Sequence, residues 1–169
     1  MVGFTGLLTI PAVLAAESSS ACAGPEYRAF DFWLGRWQVE LADGRFAGEN
    51  RIEASADGCS ITERWRGARG SEGFSVNFYE PGRDRWRQVW VSADSVIEIS
   101  GGLEEGSMVL EGEIRYRQAA EGMDTDLVRP FRGRWTPLPD GRVRQYFEEL
   151  TPDKKWQPWF EGFYAKAVE

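Results

Sequence analysis

The sequence predicts an all-β protein, an antiparallel sandwich or barrel, and three observations carry that reading. Turn signals recur at short, fairly regular intervals: Asp43-Gly44, Asp57-Gly58, GARGSEG (67–73), EPGRDR (80–85), SADS (92–95), GGLEEGS (101–107), EGMDTD (121–126), LPDGR (138–142) and TPDKK (151–155). Many of the runs between them, about five to ten residues each, alternate apolar and polar side chains as half-buried strands do. Apolar spacing of three and four is scarce, so helix is expected only as a short turn around Glu26 to Leu34.

Alternation assigns faces within each run. In RWRQVWV (85–91), Trp86, Gln88 and Trp90 share a face opposite Arg85, Arg87, Val89 and Val91. In SITERWRG (60–67), Ile61, Glu63 and Trp65 oppose Thr62, Arg64 and Arg66. In FSVNFYE (74–80), Ser75, Asn77 and Tyr79 oppose Phe74, Val76 and Phe78, and in RVRQYFEEL (142–150), Val143, Gln145 and Phe147 oppose Arg144, Tyr146 and Glu148. The arginine-bearing faces belong to solvent. That turns Glu63, Trp65, Trp86, Gln88 and Trp90 inward, a mixture of large aromatics and isolated polar groups. A closed apolar core seldom contains Glu and Gln, because each buried polar group needs a partner. A cavity holding water or a ligand accommodates them.

The chain of 169 residues suits one domain, with a body over 24–169 behind an apolar lead-in over 1–23. No repeat or linker divides the body. A net charge of −7, with no basic stripe to offset it, argues against a nucleic-acid partner. Histidine is absent, which removes the commonest general base and metal or haem ligand and excludes Ser-His-Asp and Cys-His nucleophilic sites. An enzyme here would work with carboxylates, Tyr, Arg or Lys. The pair of acidic residues in MDTD (123–126) lacks the rest of a calcium loop and reads as a solvated turn. The basic RDRWR (83–87) reads as a solvated strand entrance. No metal site and no cofactor are expected.

Residues 1–24, MVGFTGLLTIPAVLAAESSSACAG, form a short apolar run followed by small residues, as in a secretory signal, although no Lys or Arg precedes the run. Cleavage after Ala15, Ala16 or Ala23 fits the small-residue rule, and export to a periplasmic or extracellular space is the expectation. Membrane attachment would come only through an uncleaved segment. In an exported protein the two cysteines, Cys22 and Cys59, suggest one disulfide. The alternative is a buried free Cys59, with Cys22 lost along with the signal.

The stretch FDFWLGRWQVE (30–40) gathers four aromatics ahead of and into the first strand. Its Gly35-Arg36-Trp37 resembles the Gly-x-Trp that opens the first strand of lipocalins and the wider calycin group. That resemblance implies that Trp37 plugs one end of a barrel, with a late-strand Arg across its indole, here Arg144 or Arg134. Together with GENRIE, GCSITERWRG, NFYEPGRDRWRQVWV, RWTPLPDGRVRQYFEE and WFEGFY, the stretch resembles a family of bacterial exported proteins with a lipocalin-like domain of unknown function, from about Pro25 to Tyr164. The resemblance implies a calycin-like antiparallel barrel and favours a Cys22–Cys59 bridge, but implies no reaction. The chain departs from that pattern at TPDKKW and VSADSVIEIS, both expected in loops.

Three functions follow as expectations. The first is an exported barrel holding a small hydrophobic or aromatic molecule, with Trp65, Tyr79, Trp86, Trp90 and Trp159 as its aromatic contacts and Glu63, Asn77, Gln88 and Gln145 as its polar ones. The second is a His-independent isomerase, cyclase or hydratase using Glu63, assisted by Glu148 or Glu149 if either faces inward. The third is an interaction module docking to a protein partner. Haem is not expected, since no histidine can ligate it.

Overall fold

The protein, seen in a computed structural model, is described over residues 21–117 and 127–167. Ten antiparallel strands make one closed barrel: β1 (Gly35–Glu40), β2 (Phe46–Ala54), β3 (Ser60–Gly67), β4 (Glu72–Glu80), β5 (Arg85–Ser92), β6 (Ser95–Glu104), β7 (Ser107–Tyr116), β8 (Val128–Pro137), β9 (Val143–Leu150) and β10 (Trp156–Lys166). Each strand pairs with its sequence neighbours, and β10 returns to β1 in register from Trp37↔Lys166 to Glu40↔Phe163. Closure leaves no edge strand. Residues 95–100 of VSADSVIEIS, expected in a loop, instead open β6, because Val96 to Ser100 pair with β5 and β7.

Alternation works as the sequence suggests. Strand β9 reads buried, half-buried, buried along its length, with Val143, Gln145, Phe147 and Glu149 inward. The outer face carries arginines laid over aromatics of other strands, as with Arg64 over Phe74 on the neighbouring strand (5.1 Å) and Arg132 over Trp156 two strands away (4.2 Å).

A short helix α1 (Pro25–Arg28) and a 3-10 turn (Asp31–Trp33) precede β1. Pro25 begins the helix, where its missing N–H costs nothing, and Arg28 closes it. This lead-in folds under the end of the barrel that holds the β2–β3, β4–β5, β6–β7 and β8–β9 turns. The Cys22–Cys59 disulfide fastens it to the β2–β3 turn, and Arg28 donates to the Gly58 and Cys22 carbonyls there.

Phe30 and Trp33 are completely buried and form the floor. Phe30 stacks on Trp33 at 4.9 Å and meets Trp86 and Trp135 edge-on at 5.6 and 5.2 Å. Trp37, also buried, donates its indole N–H to the Trp33 carbonyl at 2.9 Å. The cation over Trp37 is neither Arg144 nor Arg134 but Lys166, whose Nζ stands 3.8 Å from the indole centroid. Alternation explains the correction. Arg144 lies between inward-facing Val143 and Gln145, so it points outward, pairs with Glu161 at 2.7 Å and covers Tyr146. Arg134 points outward beside Glu104 in the same way. Lys166 sits opposite Trp37 in register, at the strand end where a long side chain can cross the barrel's rim.

Candidate functional site

Strand direction and alternation stack the interior above the floor into two further levels. One step up from the floor, β2, β3, β4, β5, β9 and β10 contribute Asn50, Glu63, Ser75 with Asn77, Gln88, Gln145 and Tyr164. One interior position nearer the other end come Trp65, Trp90 and Phe147, with Phe160 opposite Phe147 in register. A polar belt therefore separates two aromatic zones.

The belt is hydrogen-bonded in one direction. Gln88 Nε2 donates to Asn77 Oδ1 at 2.7 Å, and Asn77 Nδ2 donates to Ser75 Oγ at 2.8 Å and to the Ile61 carbonyl at 3.2 Å. Ser75 Oγ donates to Glu63 Oε2 at 2.7 Å. From the other side Asn50 Nδ2 donates to Glu63 Oε1 at 2.7 Å and reaches the Tyr164 hydroxyl at 3.4 Å. The donors converge on Glu63, which is 3% exposed.

None of these donors is charged. Among the described residues no Lys or Arg comes within ion-pair distance of Glu63. Burial pushes its carboxyl up to about 7, and the Asn50 and Ser75 bonds pull it only part of the way back. Tyr164 is driven well above the ordinary phenol range, first by burial and then by the Glu63 charge. Two buried acceptors, Gln145 Oε1 and Asn50 Oδ1, have no hydrogen-bond partner among the described residues.

Above the belt lies a cavity of about 410 Å³, large enough for a small organic ligand. Glu63, Gln88, Gln145 and Tyr164 form its base, and Trp65, Trp90, Phe147, Phe160 and Trp159 are among its walls. Its rim is built from the β1–β2 and β3–β4 turns and includes Leu41, Arg45, Phe46, Ala68, Arg69 and Ser71. Inward-facing glycines make room for the rings. A Cβ on Gly73 would lie 2.0 Å from the Trp90 ring, and one on Gly48 would lie 2.8 Å from that of Trp65.

Trp159 enters the wall through a bulge. The β9–β10 register shifts between Pro158 and Phe160, so Trp159 is the extra residue and turns in beside Phe160. Its indole meets Phe131 edge-on at 5.4 Å and donates to the Tyr116 hydroxyl at 3.1 Å. Tyr116 in turn donates to buried Glu149, which also accepts from Gln157 at 2.9 Å. Glu149 thus faces inward but holds Trp159 in place through Tyr116 and is not a wall of the cavity. Glu148 points outward onto Arg132 at 2.7 Å.

Of the residues expected at the site, Glu63, Trp65, Gln88, Trp90, Gln145 and Trp159 meet at this cavity. Three do not line it. Trp86 belongs to the floor, against Phe30, with its N–H on the Glu26 carbonyl at 3.0 Å. Tyr79 stacks edge-on with Tyr27 at 5.1 Å and donates to Asp84. Asn77 stands behind Gln88 and Ser75 as a relay. Both aromatics fail for one reason: they lie at the closed ends of their strands, and alternation reports the face but not the height. Asn50, Tyr164, Phe147 and Phe160 were missed as site residues. Alternation already turns Phe147 inward, and in GENRIE (48–53) it would have placed Asn50 beside Gly48 and Ile52. The bulge hides Phe160 and Tyr164, because it breaks the period in WFEGFY (159–164).

The MDTD turn (123–126) and the signal-like residues 1–20 lie outside the described residues. Among the described residues no three Cys, Asp or Glu side chains gather as metal ligands would, and no helix is long and apolar enough to cross a membrane. A closed antiparallel meander, plugged at one end and hollow towards the other, is a calycin-like barrel by architecture. No known protein family matches the chain, and no curated protein does so.

Proposed function

We propose that the protein binds a small apolar or aromatic molecule in the cavity above the polar belt. One observation carries this reading: five aromatic side chains surround about 410 Å³ of space instead of packing into it, over a base of hydrogen-bonding groups. The disulfide between the lead-in and the barrel fits an oxidising compartment, and export to one is part of the proposal. Titration with N-phenyl-1-naphthylamine, an uncharged apolar dye, tests it. Saturable, blue-shifted emission at one dye per chain is expected, together with quenching of the wall tryptophans. A signal that rises linearly without saturating overturns the reading.

A second reading is favoured by one feature of the base. A carboxyl held near 7 beside a neutral phenol is a suitable acid–base pair for isomerising, cyclising or hydrating an apolar substrate. It uses the same cavity and rests on the same binding step.

A further inference from the structure

The base of the cavity carries an imbalance that the binding reading alone does not explain. Glu63 is a buried carboxyl reached only by neutral donors, one from Asn50 and one from Ser75. Gln145 is 4% exposed, lines the same space, and its Oε1 accepts from nothing. The base therefore presents a potential negative charge and an unsatisfied acceptor, with no cation among the described residues to answer either. Burying a carboxylate unpaired is costly, and so is an orphaned carbonyl.

The walls point to the same missing group. Indole is the best of the aromatic faces for a cation, and Trp65 and Trp90 stand one interior position above Glu63 and Gln88 on their own strands. The protein's own cations in the lining, Arg45 and Arg69, are at the rim, on the far side of these rings. Arg45 is held there by Asp43 at 2.7 Å. The overall charge of −7 draws cations toward the molecule as well.

We propose that the cavity takes a flat apolar molecule carrying one protonated amine, with the body among the tryptophans and phenylalanines and the ammonium directed down at Glu63. This rests on the binding reading and names its ligand class. The ammonium supplies the charge that Glu63 lacks and a donor for the Gln145 carbonyl oxygen. A carboxylated amphiphile fits poorly: with its head at the rim arginines its tail would lie on the polar belt, and with its head at the belt it would face Glu63.

The groups facing Glu63 are Asn50 on β2, Ser75 and Asn77 on β4, Gln88 on β5 and Tyr164 on β10, and only Tyr164 among them titrates, far above neutrality. With the Glu63 carboxyl near 7, an ammonium meets a neutral acid at pH 6 and an anion at pH 8. Binding at pH 7 then ionises Glu63, and its proton leaves to solvent.

Three probes of one shape test the proposal: 2-phenylethylamine, 2-phenylethanol and 3-phenylpropionate, titrated by tryptophan quenching and calorimetry. At pH 8 the amine is expected to bind at least about tenfold more tightly than the alcohol or the acid, with the margin shrinking at pH 6. Glu63→Gln is expected to abolish the amine's advantage over the alcohol, and a near-ultraviolet circular dichroism spectrum like that of wild type shows that the variant keeps its packed fold. An amine no tighter than the alcohol, or an advantage that survives Glu63→Gln, overturns the proposal. So does an acid that binds best, which would move the charge recognition to Arg45 and Arg69. If the dye binds and the amine is not preferred, only the ligand class falls. If the dye and all three probes fail, the binding reading falls with it.

Discussion

The two ends of this barrel are both rich in tryptophan, yet they do opposite things with it. At the closed end Trp33, Trp37, Trp86 and Trp135 are 3% exposed or less and fill the space, with Phe30 stacked on Trp33 and edge-on to Trp86 and Trp135. At the open end Trp65, Trp90 and Trp159 are only partly buried and surround a void. The difference lies in what fills the centre. The lead-in at 25–34 supplies Phe30 and Trp33 as a plug at one end. At the other, Gly48 and Gly73 let the Trp65 and Trp90 rings lie back against the wall, and the centre stays open. The polar belt between them marks where packing stops and recognition begins.

The sharpest way to break the comparison is to remove a ring from each end. Trp37→Ala should cost about 3–5 kcal/mol, since it empties a buried site, removes the bond to the Trp33 carbonyl and strips Lys166 of the indole beneath it. Chemical denaturation measures this directly. A loss under about 1 kcal/mol would mean that the floor is not a packed plug and that the two ends are alike.

The belt gives the next largest effect, and its sign is fixed by the direction of the Glu63 shift. The carboxyl ionises near 4.5 when unfolded and near 7 when buried, so between those values the folded state holds a proton that the unfolded state has lost. That contribution is complete below the unfolded value and disappears as pH rises through about 7. Wild type should lose on the order of 3 kcal/mol, relative to Glu63→Gln, between pH 4 and pH 8. Unfolding of the two proteins across that range is the measurement. Parallel curves would show that Glu63 is ionised or hydrated at the belt, and the barrier between the two zones would be gone.

The faces of β3, β4, β5 and β9 were legible in the sequence, because a period of two holds along a strand that has one side buried and no bulge. Glu63, Gln88 and Gln145 could thus be turned inward from SITERWRG, RWRQVWV and RVRQYFEEL alone. Height along the barrel was not legible. It depends on which end each hairpin turn occupies and on the stagger of the sheet, so Trp86 and Trp90, four residues apart on one face, end in the floor and in the chamber respectively. The cation over Trp37 was misread for a related reason. Arg144 matched an expected motif, but the side chain that crosses the rim is the one in register with Trp37, and register between β1 and β10 is long-range information.

Trp159 gives the smallest and most discriminating prediction. It is 39% exposed, so Trp159→Ala should cost about 1 kcal/mol or less of stability, far below the floor tryptophan, because much of the indole already faces water. Ligand affinity should fall more than stability does, by about three- to tenfold for the naphthyl dye, since the ring forms part of the chamber wall. Tyr116→Phe probes the same position without removing the ring. It deletes the hydroxyl that accepts from the Trp159 indole and donates to Glu149, so the bulge keeps its backbone but loses what fixes the indole. A dye affinity reduced in both variants, with unfolding midpoints close to wild type, would separate wall from plug by function. If instead Trp159→Ala were as destabilising as Trp37→Ala, the chamber would be core, and the void among its rings would close around them in solution.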